Sequence, residues 1–178
     1  MSLGDESRLV VSILEQDHIQ GLVSTSVTLV EYGDYQCPTC REVYQLIKAI
    51  QLQVNDLCFV FRHFPQSQIH SYGVRAAEAV EAAAIQGQFW QMHDILFFHQ
   101  QALGNDYLVE YANHLGLDIS QFLQDISSRV HINRINADVE GGLRSGVKAA
   151  PALFINRIRY CGRWNIKQIM AAIVAASD

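Results

Sequence analysis

The amino-acid sequence predicts an α/β fold: a mixed sheet with helices on both faces, and a helical sub-domain inserted between a βαβ unit and a ββα unit. Three observations predict it. A strand–helix–strand signal occupies residues 27–64, a nearly unbroken helical pattern fills 66–147, and two short strand signals with a closing helix follow Pro151. The 178 residues are enough for one domain with its own core. The expected organisation is an N-terminal extension at 1–16, a sheet domain from 17–65 and 148–178, and a helical insertion at 66–147.

The first strand, Val27–Tyr32, is rich in β-branched residues and bounded by Ser26 and Gly33. From Pro38 the apolar residues Val43, Leu46, Ile47 and Ile50 recur at helical spacing. Pro38 suits an early helical position, because its missing N–H would have no intrahelical partner there. A strand at Leu57–Phe64 is stopped by Pro65. In the insertion, Val74–Gln86 is Ala-rich and stops at Gly87, Phe89–Leu103 stops at Gly104, and Tyr107–Leu115 stops at Gly116. Asn105 is placed to cap the third of these helices and Asp118 the next, Gln121–Val130, with Gln121 at the capping-box position. A helix at 133–144 contains Gly141-Gly142, each unfavourable by about 1 kcal/mol in a helix interior, which suggests close approach of a neighbour. Strands at 152–155 and 158–161 form a hairpin, and Asn165 opens the closing helix 166–176. Phe89, Trp90, Phe97 and Phe98 are expected in the core of the insertion, with His93 a packing histidine.

Composition excludes several classes. Hydrophobic residues make up 49% and charged residues 17%, a folded rather than disordered profile. The net charge of −5 argues against nucleic acid or an anionic membrane as the main partner. No apolar run reaches transmembrane length. Met1–Glu6 has neither the basic nor the apolar region of a signal peptide. Met1-Ser2-Leu3 equally fits an added leader. The expected compartment is therefore cytoplasmic if this terminus is native and periplasmic or extracytoplasmic if a signal was removed.

Four cysteines are too few to staple a chain of this size, so their positions decide their meaning. Cys37 and Cys40 bracket Pro38-Thr39 between a strand and a helix. The first sulfur would sit at a helix N-terminus, near free N–H groups that favour the nucleophilic thiolate. Cys40, one turn on, could resolve a mixed disulfide formed by Cys37. A helix terminus contributes about 0.3–1 kcal/mol, up to ~2 when partly buried, which explains at most roughly 1.5 pKa units. Any further lowering needs hydrogen bonds from backbone N–H groups, the Cys40 thiol or the Thr39 hydroxyl.

Other readings of the same residues stand beside this one. Two such cysteines can be half of a structural zinc site, but that needs two more ligands. No second pair of this spacing exists, and His63, His70, His93 and His99 fall in different elements. No metal and no cofactor is expected. The cysteines could also be unrelated core residues. Glu31, six residues before Cys37, is either an exposed edge-strand carboxylate or a buried acid that exchanges protons with Cys40. Pro151 is either a simple breaker or a cis residue, which sequence alone does not show.

The run Val27-Thr28-Leu29-Val30-Glu31-Tyr32-Gly33-Asp34-Tyr35-Gln36-Cys37-Pro38-Thr39-Cys40 resembles the active-site segment of DsbA-like thiol–disulfide oxidoreductases of the thioredoxin superfamily. Phe59–Pro65, Ala76–Ala79, Phe89–Asp94 and Ser145-Gly146-Val147 with Pro151–Asn156 extend the likeness from about Asp17 to Ala176. The resemblance implies a thioredoxin fold with a helical insertion, a cis-proline at Pro151 facing the sulfurs, and a buried acid at Glu31. Tyr35, Gln36, Pro38, Thr39, Ala150 and Pro151 would line the substrate site. There are departures. Ala149-Ala150-Pro151-Ala152 replaces the common Gly-Thr-Pro-Thr, so no side chain at 150 tunes the pair, although its backbone could still pair with a peptide. Asn156-Arg157 replaces Asn-Gly, which suggests strain or another loop, since a type I′ turn needs φ > 0 twice. His70-Ser71 replaces His-Pro.

Topology would place the strand of Cys58 and that of Cys161 on opposite sheet edges, roughly 14 Å apart at ~4.8 Å per strand, too far for a disulfide. The leading expectation is thus a protein thiol–disulfide oxidoreductase, with dithiol or disulfide protein substrates and a redox partner that recycles it. Alternatives are a glutathione-linked reductase or isomerase of the same fold and a redox-inert peptide-binding or chaperone module.

Overall fold

A computed structural model describes residues 7–177. Met1–Glu6, on which the reading of the terminus rested, lie outside the described residues. The elements in order are β1 (His18–Gln20), β2 (Val27–Gly33), α1 (Pro38–Gln51), β3 (Leu57–His63), α2 (Gly73–Ile85), α3 (Phe89–Phe98), α4 (Asn105–His114), α5 (Ile119–Ser127), α6 (Ile132–Arg144), β4 (Ala152–Ile155), β5 (Ile158–Arg159) and α7 (Ile166–Ser177). The strands form one mixed sheet in the order β1-β3-β2-β4-β5. β2 and β3 run parallel, in register from Val27 opposite Leu57 to Gly33 opposite His63, with α1 as the crossover between them. β4 pairs antiparallel with β2, placing Leu153 opposite Glu31.

The pleat divides the buried residues between two faces. Leu29, Phe59, Phe61 and Leu153 point to one side, where they join Val43, Ile47 and Ile50 of α1, Ile169 and Ile173 of α7, and the helices of the insertion. Val30, Tyr32, Cys58, Val60 and Phe154 point to the other, where they meet Leu9, Phe64 and Val147. α6 closes over this second face at its glycine pair. A Cβ on Gly142 would lie 2.9 Å from Cδ2 of Phe64, and one on Gly141 would lie 3.1 Å from Cγ2 of Val11. The two unfavourable glycines thus let a helix backbone rest closely on the Val11 and Phe64 side chains.

Three expectations change. β1 has no counterpart in the sequence reading; its three residues pair antiparallel with β3, His18 opposite Phe61. β3 is therefore an inner strand. Cys58 is buried on it, whereas Cys161, beyond the other edge, is exposed, and both are free thiols. Second, residues expected in an extension contribute to the core. Leu9 is buried, and its N–H donates to the Arg157 carbonyl at 2.8 Å. Third, Phe98 is exposed rather than a core residue of the insertion.

The hairpin turn is the two-residue type I′ loop after all. Asn156 has φ 45° and Arg157 φ 72°, with Ile155 opposite Ile158. Asn156 holds it there: its Oδ1 accepts from the Thr28 N–H at 2.8 Å, and its Nδ2 donates to the Ser26 and Ala176 carbonyls. The capping expectations are met in part. Asp118 Oδ1 accepts from the Gln121 N–H at 2.9 Å, but the Gln121 side chain reaches forward to Asp125 instead of back. Gly104, not Asn105, occupies the N-cap of α4.

Candidate active site

Cys37 is the N-cap residue of α1, extended at φ −76° and ψ 121°, and Pro38 takes the first helical turn. This placement aims the Cys37 sulfur at the free N–H groups of the turn. The Cys40 N–H donates to it at 3.4 Å, satisfying one of the four donors that a helix start leaves open. Cys40 itself is fully buried, one turn along, and its sulfur accepts from the Asp34 N–H at 3.4 Å. Across from the helix end, the Ala150–Pro151 peptide bond is cis, and the Cys37 thiol donates to the Ala150 carbonyl at 3.6 Å.

The electrostatics of the two sulfurs diverge. Cys37 is brought from 9.0 down to about 6, chiefly by the hydrogen bond from the Cys40 thiol, against a desolvation cost, with further help from the Cys40 and Thr39 backbone N–H groups. That fall exceeds what a helix terminus supplies, so direct hydrogen bonds make the difference. Thr39 acts through its backbone N–H, not through the hydroxyl considered from sequence. Cys40 moves well upward, because burial and then its hydrogen bond to Cys37 favour the neutral thiol. Glu31 is buried on the face of β2 that α1 covers, and its Oε1 has no hydrogen-bond partner. Burial, then the charge at Cys37, raises it from 4.5 to about 8.

The loop between β2 and α1 is tied down by residues that sequence reasoning passed over. Asp34 is buried, and its carboxylate accepts from the Gln36 N–H, the Gln66 N–H and His70 Nδ1 at 2.9, 2.9 and 2.7 Å. Gln66 in turn accepts from the Ala150 N–H at 3.1 Å, linking the segment after β3 to the cis bond. Gln100, just past α3, donates to the carbonyls of Tyr35 and Cys37 at 2.9 and 2.7 Å. Gln36 Oε1 accepts from the Tyr72 N–H at 2.7 Å. Asp34 was within reach of the sequence, three residues before Cys37 in the quoted run. Gln100 was not, because nothing local to residue 100 points to Cys37.

Of the expected lining residues, Pro38 is exposed, and Gln36, Thr39, Ala150 and Pro151 are partly so. Tyr35 is corrected. It is 1% exposed, packs on Phe61 and Phe97, and shares a 2.9 Å hydrogen bond between its hydroxyl and His93 Nδ1. It supports the loop from beneath and presents nothing to a ligand. The Ala150 backbone, which could pair with a peptide strand, has its N–H occupied by Gln66.

A family model described as Thioredoxin matches residues 14–175. The chain is 38% identical over 162 residues to a protein named Na(+)/H(+) antiporter NhaA 3 from Salinispora tropica, covering 91% of this chain and 25% of that protein. A protein named Na(+)/H(+) antiporter NhaA 1 from Mycolicibacterium gilvum is 40% identical over 166 residues, covering 90% of this chain and 27% of its own length. The chain thus spans about a quarter of the length of these curated relatives. Among solved structures, BdbD from Bacillus subtilis superposes with a TM-score of 0.82 at 20% identity, covering 90% of this chain and 92% of that one. Wolbachia pipientis alpha-DsbA1 gives 0.82 at 19%, covering 96% of each chain. At such identities the likeness speaks for the fold. With a strand, a cysteine pair at a helix start and a cis-proline assembled as described, and a family match over nearly the full length, the chain belongs to the thioredoxin family and has a DsbA-like fold.

Proposed function

We propose that this protein is a thiol–disulfide oxidoreductase that exchanges disulfides with protein substrates through Cys37 and Cys40. The observation that carries the reading is the placement of two sulfurs one helical turn apart: the Cys37 sulfur caps α1, accepts from the Cys40 N–H at 3.4 Å and faces the cis Ala150–Pro151 bond, while Cys40 is fully buried. The arrangement pushes Cys37 down to about 6 and Cys40 well up. A thiolate at neutral pH is thereby confined to the outer sulfur, and the inner one stays protonated until it is needed.

In the reducing direction, the Cys37 thiolate attacks a substrate disulfide. One substrate sulfur leaves as thiolate, and a mixed disulfide joins Cys37 to the other. Cys40 then gives its proton to the Glu31 carboxylate, and its sulfur attacks the Cys37 sulfur. The Cys37–Cys40 disulfide forms and the second substrate thiol is released. The oxidising direction is the reverse, and a redox partner of the opposite kind returns the pair to its starting state. Glu31 suits the relay because at about 8 it changes protonation close to neutral pH. The stabilised Cys37 thiolate favours the reduced pair and so raises its potential.

Within this reading, 17–65 and 148–178 carry the chemistry. Gln66, His70 and Gln100, from the 66–147 insertion, hold its loops. Pro38, Thr39, Gln36, Ala150 and Pro151 border the path a substrate takes to Cys37. No helix among the described residues is long and apolar enough to cross a membrane.

The test is a pair of variants, Cys37→Ser and Cys40→Ser, assayed for insulin reduction and for oxidation of a reduced model protein. Loss of both activities in Cys37→Ser, with trapped mixed disulfides in Cys40→Ser, is expected. Full activity in Cys37→Ser would overturn the reading. Activity toward a glutathionylated substrate that survives in Cys40→Ser would assign it to glutathione-linked chemistry instead.

A further inference from the structure

Away from the sulfurs, three residues from separate elements converge on one point. His18 lies on β1, His63 at the end of β3 and Glu81 on α2. In sequence the three stand far apart, at positions 18, 63 and 81. In the fold, one ligand atom from each of the three lies within 4.8 Å of the other two. The Nε2 atoms of both imidazoles stand 2.7 Å from the same oxygen, Oε1 of Glu81. Glu81 and His63 are buried, while His18 is partly exposed at its outer edge. The His18 ring is held flat against Phe89, with centroids 3.5 Å apart and planes 9° apart.

We propose that His18, His63 and Glu81 form a three-ligand site for a divalent transition-metal ion of the zinc class, with water completing a tetrahedron on the side of His18. The donor set is the reason for the class. Two imidazole nitrogens and one carboxylate oxygen match zinc and its neighbours, whereas calcium and magnesium prefer six or more oxygens. The ligands stand on two strands and a helix, so their positions are set by the fold rather than by loops. With metal–ligand bonds of about 2.0–2.1 Å, the nitrogen–oxygen spacing must open to roughly 3.3 Å. His18, partly exposed and on an edge strand, is the ligand able to take up that movement by sliding over Phe89.

Two features set the strength. Arg134 Nε lies 3.0 Å from the same Glu81 oxygen, so its positive charge competes with the ion. His63 Nδ1 is buried without a partner, where a metal-bound histidine usually donates to an acceptor. Missing support of that kind typically weakens a site ten- to a hundredfold. The expected affinity is micromolar rather than nanomolar. The ion would act as a clamp: it ties the edge strand β1 to the insertion and takes no part in disulfide exchange.

The experiment uses the full chain with the Cys37–Cys40 pair oxidised and Cys161→Ser in place, so that no exposed thiol binds the probe and only the buried Cys58 stays reduced. Zinc and cobalt(II) are titrated by calorimetry and by the visible absorption of four-coordinate cobalt, with magnesium and calcium as controls. One zinc per chain is expected, with a rise in Tm of roughly 5–10 °C at a hundredfold excess over Kd. His18→Asn, a change at a partly exposed position, should weaken binding at least tenfold while the circular dichroism is unchanged. Glu81→Gln should do the same or more. Arg134→Gln should tighten binding several-fold, which loss of a purely structural ion pair would not do. Absence of stoichiometric binding, equal affinity in His18→Asn, or calcium binding as tightly as zinc would each overturn the proposal.

Discussion

The two faces of the sheet treat buried charge in opposite ways. On one, Arg62 is fully enclosed and fully partnered. Its Nε and Nη2 meet the two oxygens of Asp17 at 2.9 and 2.8 Å, Nη1 donates to the Val11 carbonyl and the Tyr32 hydroxyl, and Nη2 donates also to the Ser12 carbonyl. The guanidinium is held firmly in its charged form despite burial, by Asp17 and Tyr32. On the other face Glu31 is buried with an unpartnered oxygen beneath a sulfur that carries charge. The first arrangement fastens the N-terminal segment to the sheet. The second keeps beside Cys40 a carboxyl that gains and loses its proton close to neutral pH. What separates structure from chemistry here is whether hydrogen-bond donors surround the charge, since both groups are equally removed from water.

Breaking each side should therefore have opposite signs. The largest effect on stability is expected at the salt bridge. Asp17→Asn or Arg62→Met should cost about 3–5 kcal/mol by leaving a buried charge unpaired, whereas Arg62→Met with Asp17→Leu together should recover most of that loss. Denaturant unfolding of the three variants checks this.

Glu31→Gln should stabilise instead. The carboxyl sits at about 8 in the folded chain against 4.5 as its ordinary value. Between those values the unfolded chain is ionised and binds fewer protons, so wild-type stability falls as pH rises from 4.5 through 8. The cost by pH 8 is on the order of 4 kcal/mol. Glutamine removes it, so the two stability curves should converge near pH 4 and separate toward pH 8. In the same variant, release of a trapped Cys37 mixed disulfide should slow, because Cys40 has lost its proton acceptor.

A smaller effect is expected at the Ala150 backbone. Gln66 occupies the N–H that a substrate strand would use. Gln66→Ala should leave fold stability within about 1 kcal/mol and change the apparent KM for a peptide disulfide more than kcat.

The legible parts of this molecule were those encoded locally. The β-branched run before Gly33, the capping position of Cys37, the glycine stops of the insertion and the hairpin near Asn156 each announce themselves within a few residues. β1 did not, because three residues with no alternation become a strand only when β3 offers its edge. Tyr35 was misplaced for a related reason: it stands in a loop beside the partly exposed Gln36, and only the packing of α3 shows that the ring turns inward. Gln100, Gln66 and the His18–His63–Glu81 cluster were invisible, since each depends on bringing together residues tens of positions apart. Arg157 looked incompatible with a type I′ turn. The side chain of Asn156 and the contact of the Arg157 carbonyl with Leu9 supply the fixing that a glycine's freedom would otherwise have made unnecessary.

The central claim is the asymmetry of the cysteine pair, and the rate of alkylation of each sulfur as a function of pH tests it most directly. Reduced protein is treated briefly with iodoacetamide from pH 4 to 10, and the label on each cysteine is read by peptide mass mapping. The account predicts that Cys37 is modified with a rate that rises through an inflection near 6, while Cys40 stays unlabelled in the folded protein up to the top of that range. An inflection for Cys37 near 9, or comparable labelling of Cys37 and Cys40 at neutral pH, would contradict it.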